Sequence, residues 1–146
     1  MTADFVDTNV LVYAFTADRR AIAAQAVLER GCATSVQALN EFANVALRKL
    51  AMSWEEVRAA LTAIRVVCRQ IVPLDIATHE DALRLSQRYG YAIYDSLILA
   101  SALRVGSDML WSGDMQDGAV IDDRLRIANP FRSTRGDRRR GAAERV

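Results

Sequence analysis

The chain has 146 residues, of which 51% are hydrophobic and 25% are charged, and its formal net charge is +1. This composition is typical of a single globular domain, and no apolar run reaches the roughly 18 residues of a membrane-spanning helix. We expect no secretion signal, because the chain passes from an acidic residue, Asp4, directly into a strand-like segment.

Short apolar runs alternate with helical patterns along the chain. Strands are predicted at residues 3–7, 32–34, 71–74, 109–112 and 125–128. Helices are predicted at residues 19–30, from 35 to about 52, from 53 to near 69, at 78–90 and at about 93–105. This alternation predicts an α/β domain with a central, mainly parallel sheet of about five strands flanked by helices.

Several of the predicted helix ends carry residues that start or stop helices. Asp18 and Ser35 are candidate N-caps, and Ser53 forms a candidate capping box with Glu56. Glycines follow three of the helices and favour their termination. The helix boundaries are therefore predicted from capping chemistry as well as from apolar periodicity.

Four acidic residues stand where a carboxylate is unusual. Asp7 ends the apolar run of the first strand, and Glu41 lies inside the second helix. Asp95 opens the apolar last helix, and Asp114 follows the fourth strand. Because the functional crevice of an open parallel sheet lies beyond the carboxyl ends of its strands, we expect these acids to converge there.

Such a convergence would require a cation. Two carboxylates about 5 Å apart repel each other by roughly 3 kcal/mol at an effective dielectric constant of about 20. An ion-free cluster of four would therefore take up protons or separate. Hard oxygen ligands favour Mg²⁺ or Mn²⁺, so the sequence predicts a site for one or two such ions.

Taken singly, three of these acids have a simpler explanation. Asp95 is equally well explained as an acid at a helix N-terminus, and Asp114 lies in a loop rich in turn residues. Glu41 belongs to a polar stripe that a solvated helix face explains as well. The stripe consists of Gln37, Glu41, Asn44 and Arg48. Asp7 is the hardest to explain without a ligand, because it directly follows a buried strand.

Cysteine and histidine are too sparse to suggest a metal or redox motif. Cys32 and Cys68 have no paired spacing, and we expect two reduced thiols in the core of a cytoplasmic protein. His79 is the only histidine and lies in a predicted helix start, where a surface position is expected.

The C-terminal segment, residues 132–146, differs from the rest of the chain. It contains six arginines and two acids, a net charge of +4 that leaves −3 for the remaining residues. With little apolar content, it is expected to be a disordered tail. It serves either as a solubilising extension or as electrostatic help in holding a polyanion.

The acidic segments together resemble the motifs of PIN-domain nucleases. The matching segments are Phe-Val-Asp-Thr-Asn-Val-Leu-Val-Tyr at 5–13, the helix of Glu41, Tyr-Asp-Ser-Leu-Ile at 94–98 and Ser-Gly-Asp at 112–114. Their order and separation cover nearly all of residues 3–131. The size and the loop Ser-Gly-Asp-Met-Gln-Asp-Gly are most similar to VapC-type ribonuclease toxins of toxin–antitoxin modules. The resemblance implies a PIN-like three-layer fold and a nuclease domain at residues 1–131.

The resemblance also implies which residues form the site. The implied metal-binding and catalytic acids are Asp7, Glu41, Asp95 and Asp114. The residues implied to support them are Thr8, Asn9 and Ser112. Asp117 matches a position that is often acidic in the family, where it either adds a ligand or supports one.

The implied reaction is Mg²⁺- or Mn²⁺-dependent hydrolysis of RNA phosphodiester bonds, by the toxin of a type II toxin–antitoxin module. With no well-placed His or Lys, a site carboxylate or water at the ion is the expected base. A single-stranded or loop RNA is favoured, because its bases are exposed. The resemblance implies a homodimer and a cognate antitoxin that covers the acidic site.

Two other functions remain open at this point. The first is a noncatalytic RNA-binding or scaffold protein on the same fold, although such a protein need not keep all four acids. The second is a phosphatase with a nucleophilic Asp7, which is disfavoured because Asn9 stands where a second aspartate is expected.

Overall fold

The computed structural model describes residues 2–132 of the chain. Its strands are β1 (Asp4–Val6), β2 (Cys32–Ser35), β3 (Cys68–Val72), β4 (Met109–Trp111), β5 (Val120–Ile121) and β6 (Leu125–Ala128). Its helices are α1 (Thr8–Tyr13), α2 (Arg20–Glu29), α3 (Val36–Arg48), α4 (Trp54–Val67), α5 (Ile76–Tyr89) and α6 (Ile93–Arg104). Apart from Arg132, the predicted arginine-rich tail lies outside the described residues.

The strands form one sheet in the order β3-β2-β1-β4-β6-β5. All neighbouring pairs are parallel except β5 with β6, which confirms the predicted mainly parallel α/β fold. From β1 the chain builds the sheet first toward β2 and β3 and later toward β4. The order therefore reverses beside β1, and a crevice opens at such a point beyond the carboxyl ends of the strands.

The core is centred on β1 and α6. Phe5 and Val6 of β1 have no exposed surface, and neither has Leu110 of β4. In α6, every residue from 96 to 102 is buried. Asp95 lies directly before this buried stretch, in the half-exposed first turn of α6. Within the described residues, no helix combines the length and apolarity needed to cross a membrane.

The sheet has one strand more than predicted. The two-residue β5 runs antiparallel to β6. Asp122 and Asp123 form the turn between them with φ angles of 51° and 56°. Aspartate tolerates this left-handed conformation better than most residues do. A strand of two residues carries no readable alternation, which explains why the sequence did not reveal it.

Five helices were predicted between residues 19 and 105, and five are found there, α2 to α6. The predicted helix ends were less accurate. The N-cap at Ser35 and the capping box of Ser53 with Glu56 are confirmed. The predicted start at Thr78 was wrong, because Asp75 is the N-cap of α5 and accepts a hydrogen bond from the Thr78 N–H at 2.8 Å. The short helix α1 was not predicted at all.

The prediction of two reduced thiols was wrong. Parallel pairing of β2 with β3 places Cys32 opposite Cys68, with their Cα atoms 4.7 Å apart. Their sulfur atoms form a disulfide. The 36-residue separation in sequence concealed this pairing, since it arises only from the strand register. The cysteines therefore give no support to the expectation of a cytoplasmic location.

Candidate functional site

An open cavity of about 690 Å³ contains all four acids predicted from the sequence. Its wall is formed by Asp7, Thr8, Asn9, Val12, Tyr13, Thr16, Asp18, Glu41, Asn44, Val45, Lys49, Leu50, Asp95 and Asp114. Asp7 follows β1 and Asp114 follows β4, so the cavity lies at the point where the strand order reverses.

Asp7 is fixed at the centre of this site. Its Oδ1 accepts a hydrogen bond from the Thr8 N–H at 2.7 Å and thereby caps α1. Its Oδ2 accepts one from the Ser112 hydroxyl at 2.8 Å. Its own N–H donates to the Trp111 carbonyl at 3.0 Å, which continues the pairing of β1 with β4. Because a carboxylate can accept about four hydrogen bonds, both oxygens keep capacity for a cation.

Burial raises the pKa of the Asp7 carboxyl from 3.8 to about 7. The hydrogen bonds from Ser112 and Thr8 act in the opposite direction, and the charges of Asp95 and Asp114 add to the rise. With only 5% of its surface exposed, the ionised form has little access to water. A buried carboxyl in this state favours a positive partner.

Glu41 is held by both of its carboxylate oxygens. Oε2 accepts a hydrogen bond from the Thr8 hydroxyl at 2.5 Å, and Oε1 accepts one from the Gln37 side-chain amide at 3.0 Å. The same Gln37 Nε2 donates to the carbonyl of Tyr94 at 3.1 Å. Gln37 therefore ties the carboxylate of Glu41 to the residue that precedes Asp95.

Gln37 was missed by the sequence reasoning, which offered a solvated face as one explanation for its stripe. It is only 6% exposed, and its Oε1 is buried with no hydrogen-bond partner within the described residues. Asn44 and Arg48, farther along the same stripe, are exposed. The stripe therefore begins inside the protein and ends at the surface, which helical spacing alone does not reveal.

Replacing Gln37 with leucine is expected to destabilise the protein by about 1–3 kcal/mol, because the Tyr94 carbonyl and Glu41 both lose a buried donor. Asn44→Ala on the same stripe is the control and should change stability by less than about 0.5 kcal/mol. Urea unfolding of both variants measures the difference. Equal effects would mean that Gln37 does not act as this buried link.

Asp95 and Asp114 complete the acidic group. Burial raises the pKa of Asp95, and the charges of Asp114 and Glu41 raise it further. Asp95 and Asp114 also act on the pKa of Asp7. Each of the four acids is therefore electrostatically linked to at least one other, although they come from four separate segments of the chain.

Ser112 and Asn9 organise the loop that carries Asp114. The Ser112 Oγ accepts hydrogen bonds from the Asp114 and Met115 N–H groups, each at 3.2 Å. The Asn9 Oδ1 accepts one from the Gly113 N–H at 3.1 Å. A side chain on Gly113 would place its Cβ 2.8 Å from the Phe131 ring, so the ring would have to move to admit it. Ser112 and Asn9 thus connect the loop to Asp7 and to α1.

Asp117 lies apart from the cavity wall. Its Oδ1 accepts a hydrogen bond from the Asn129 N–H at 2.8 Å, and its Oδ2 lies 3.3 Å from the Arg132 guanidinium. Of the two roles left open for Asp117, this arrangement favours support of the loop, because both oxygens are engaged by residues at the C-terminal end of the described chain.

Lys49 was also missed, since the sequence offered no reason to place a lysine near the acids. It is exposed and lies in the wall of the same cavity, at the C-terminal end of α3. Lys49 reaches the cavity because α3 runs along it. This position depends on how α3 packs in the fold, which the sequence pattern does not specify.

The chemistry of the cavity suits a hard cation with few direct protein ligands. Within residues 2–132, no three His, Cys, Asp or Glu side chains form a ready ligand group for a metal ion. Mg²⁺ keeps several of its waters and typically takes one or two carboxylates together with substrate oxygens. Such an ion needs only one or two of the four carboxylates, and Asp7, which is buried with lone pairs to spare, meets that requirement.

The family model of the PIN domain matches residues 5–117, a span that includes all four acids. No curated protein sequence matches the chain.

Similar folds are found among solved structures. A toxin–antitoxin complex from Klebsiella pneumoniae is 22% identical with a TM-score of 0.69, over 90% of this chain and 100% of that one. Mycobacterium tuberculosis VapC20, described as a toxin that cleaves the sarcin–ricin loop, is 20% identical with a TM-score of 0.60, over 77% and 92%. Rickettsia felis VapBC2, bound to a DNA fragment from its promoter, is 19% identical with a TM-score of 0.61, over 86% and 96%. At these identities the likeness shows the fold.

Proposed function

Since the chain belongs to the PIN domain family, we propose that it is a metal-dependent endoribonuclease and the toxin of a type II toxin–antitoxin module. The observation that supports this most strongly is the arrangement of Asp7, Glu41, Asp95 and Asp114 around one open cavity. Purely structural acids would have no reason to meet, because their mutual repulsion destabilises the fold.

One or two Mg²⁺ or Mn²⁺ ions bound by these acids would lower the pKa of water and neutralise charge on the phosphoryl oxygens. The protein's part is to hold the oxygen donors in place. Ser112 and the Thr8 N–H fix Asp7, while Thr8 and Gln37 fix Glu41. Donors held in advance need no rearrangement when the phosphodiester arrives.

We also propose a cognate antitoxin that covers the acidic cavity, and a homodimer. The similarity to toxin–antitoxin complexes from Klebsiella pneumoniae and Rickettsia felis supports the antitoxin. RNA is the proposed substrate, and the similarity in fold to VapC20, which is described as cleaving the sarcin–ricin loop, supports it. The cytoplasm is the proposed site of action, because RNA is abundant there.

The arginine-rich tail is proposed to attract RNA toward the site. The ring of Phe131 packs edge-to-face on the ring of Tyr13 in the cavity wall, with the two ring centroids 5.0 Å apart. The next residue, Arg132, forms an ion pair with Asp117. The residue directly before the tail, Phe131, therefore contacts the cavity wall. Its charge is opposite to that of the phosphate backbone.

Deleting residues 132–146 is expected to weaken RNA binding at low salt and to leave the melting temperature unchanged, because the segment has little apolar surface to bury. The slope of log affinity against log salt should become shallower by about 0.7 for each phosphate that the tail neutralises in the full-length protein. Binding isotherms at several salt concentrations measure it. Equal slopes would identify the tail as a solubilising extension.

The proposed function is tested by mapping new RNA ends in cells that express the wild type, Asp7→Asn or the control Asp123→Asn. The control makes the same chemical change in the β5–β6 turn, where asparagine also tolerates the positive φ. Wild type and control should give the same new ends, and Asp7→Asn should give none. Bound RNA without new ends in any sample would instead favour the noncatalytic RNA-binding protein.

A further inference from the structure

Lys49 is the only basic side chain among the described residues that line the acidic cavity. Its side chain has no hydrogen bond or ion pair within residues 2–132, and it is exposed to solvent. Five acids share that cavity wall, namely Asp7, Asp18, Glu41, Asp95 and Asp114. An unpaired ammonium group in the wall of an acidic cavity is available to an anionic ligand.

The helix α3 sets the backbone separation of Lys49 from Glu41. Its N–H donates to the Val45 carbonyl at 2.8 Å, so it is held at the last turn of α3. Lys49 follows Glu41 by eight residues, and a helix rises about 1.5 Å per residue, which separates the two by about 12 Å along the axis. Asn44 and Val45 continue the cavity wall between them, and Leu50 lies beyond.

We propose that Lys49 binds a phosphate that flanks the scissile phosphate of a single-stranded RNA. This inference rests on the proposed function and identifies how the substrate strand is held. Cations held by the four acids would neutralise a phosphate among them, whereas the neighbouring phosphate would enter the same acidic cavity without that help. Lysine is well suited to this position because its ammonium group is a compact charge that phosphate binds without strict geometry.

The proposed interaction makes Lys49 a binding residue and leaves the reacting atoms to the acids. Its removal should therefore raise KM and leave kcat largely unchanged, since a flanking phosphate is bound equally in the ground state and the transition state. A purely structural lysine at an exposed helix end would change neither. A lysine that only lowers the repulsion among the acids would change metal affinity instead.

The test compares Lys49→Gln with Arg48→Gln, which removes the adjacent exposed cation of the same helix outside the cavity wall. The first measurement is the affinity for a fluorescent single-stranded RNA oligonucleotide. Ca²⁺ replaces Mn²⁺ in this measurement, and a gel confirms that the RNA stays intact. The second measurement is steady-state cleavage of the same RNA in Mn²⁺, which gives KM and kcat. Mn²⁺ affinity without RNA is measured by calorimetry, and Lys49→Arg serves as the conservative variant.

Lys49→Gln is expected to weaken RNA binding and to raise KM by about tenfold, with a salt slope shallower by about 0.7. Arg48→Gln and Lys49→Arg should resemble the wild type, and Mn²⁺ affinity should not change. Equal RNA affinity for the two Gln variants, or a change in Mn²⁺ affinity alone, would overturn the inference about Lys49. Cleavage by the wild type in the same experiment would leave the proposed function intact. If Lys49→Gln weakened RNA binding but the wild type cleaved no RNA, phosphate binding by Lys49 would be upheld and the proposed nuclease function would be overturned.

Discussion

Asp7→Asn is expected to stabilise the protein by about 1–3 kcal/mol at pH 8 in the presence of a chelator. Raising the Asp7 pKa from 3.8 to about 7 corresponds to about 4 kcal/mol of destabilisation on ionisation in the folded state, at about 1.4 kcal/mol per pH unit. Asparagine avoids this ionisation but serves only one of the two donors, Thr8 N–H and the Ser112 hydroxyl. The donor left without an acceptor costs about 1–3 kcal/mol, which leaves a net gain of about 1–3 kcal/mol.

The sign of the pH dependence follows from which state holds the proton. Below pH 3.8 both the folded and the unfolded protein carry it on Asp7, and between 3.8 and about 7 only the folded protein does. Stability should therefore fall as the pH rises through this window and level off above it. Asp95, whose pKa is also raised, acts in the same direction.

Urea unfolding at pH 5 and pH 8 measures both effects, with Asp123→Asn as the control for an exposed carboxylate. The wild type should lose more stability between the two pH values than Asp7→Asn does. A large destabilisation by Asp7→Asn at pH 8 would show that the ionised Asp7 is needed for folding, and the interpretation as a ligand-binding acid would be wrong.

Mn²⁺ is expected to raise the melting temperature of the wild type, because it binds the assembled carboxylates and not the dispersed acids of the unfolded chain. At a free concentration of 100 times the dissociation constant, the gain is about 2.7 kcal/mol. Asp7→Asn and Asp95→Asn should reduce this gain, since each removes a negatively charged donor. Asp123→Asn should keep it.

Differential scanning calorimetry with and without Mn²⁺, at fixed ionic strength, measures this effect. Ca²⁺ should also stabilise the protein, although its looser coordination suits the reaction less well. Identical melting temperatures in Mn²⁺ and chelator would mean that the cavity does not bind the ion, whatever the acids contribute otherwise.

The parts of the fold that depend on local patterns were predictable from the sequence. Strand–helix alternation indicated the parallel sheet, and the match of residues 5–117 to the PIN domain confirms the resemblance carried by the acidic motifs. The convergence of Asp7 with Asp114 followed from their positions after β1 and β4. These inferences succeeded because each depends on a short segment and a general rule of sheet topology.

The parts that depend on packing between distant segments were not predictable. Cys32 meets Cys68 only through the register of β2 with β3. Gln37 is buried because α3 packs beside Tyr94, and Lys49 reaches the cavity because the same helix runs along it. A helical stripe specifies which residues share a face, whereas the partner of that face is a property of the tertiary fold.

The measurement that tests the central claim most directly is RNA cleavage by the purified protein in Mn²⁺. Single-stranded RNA is incubated with the wild type, Asp7→Asn, Asp95→Asn and Asp123→Asn, each with Mn²⁺ or chelator, and the products are resolved on a gel. We predict cleavage by the wild type and Asp123→Asn in Mn²⁺ only. Cleavage by the two site variants should be slower by about 100-fold or more, as expected when a group that stabilises transition-state charge is removed. Equal cleavage by all four proteins, or cleavage that persists in chelator, would contradict a metal-dependent nuclease centred on these acids.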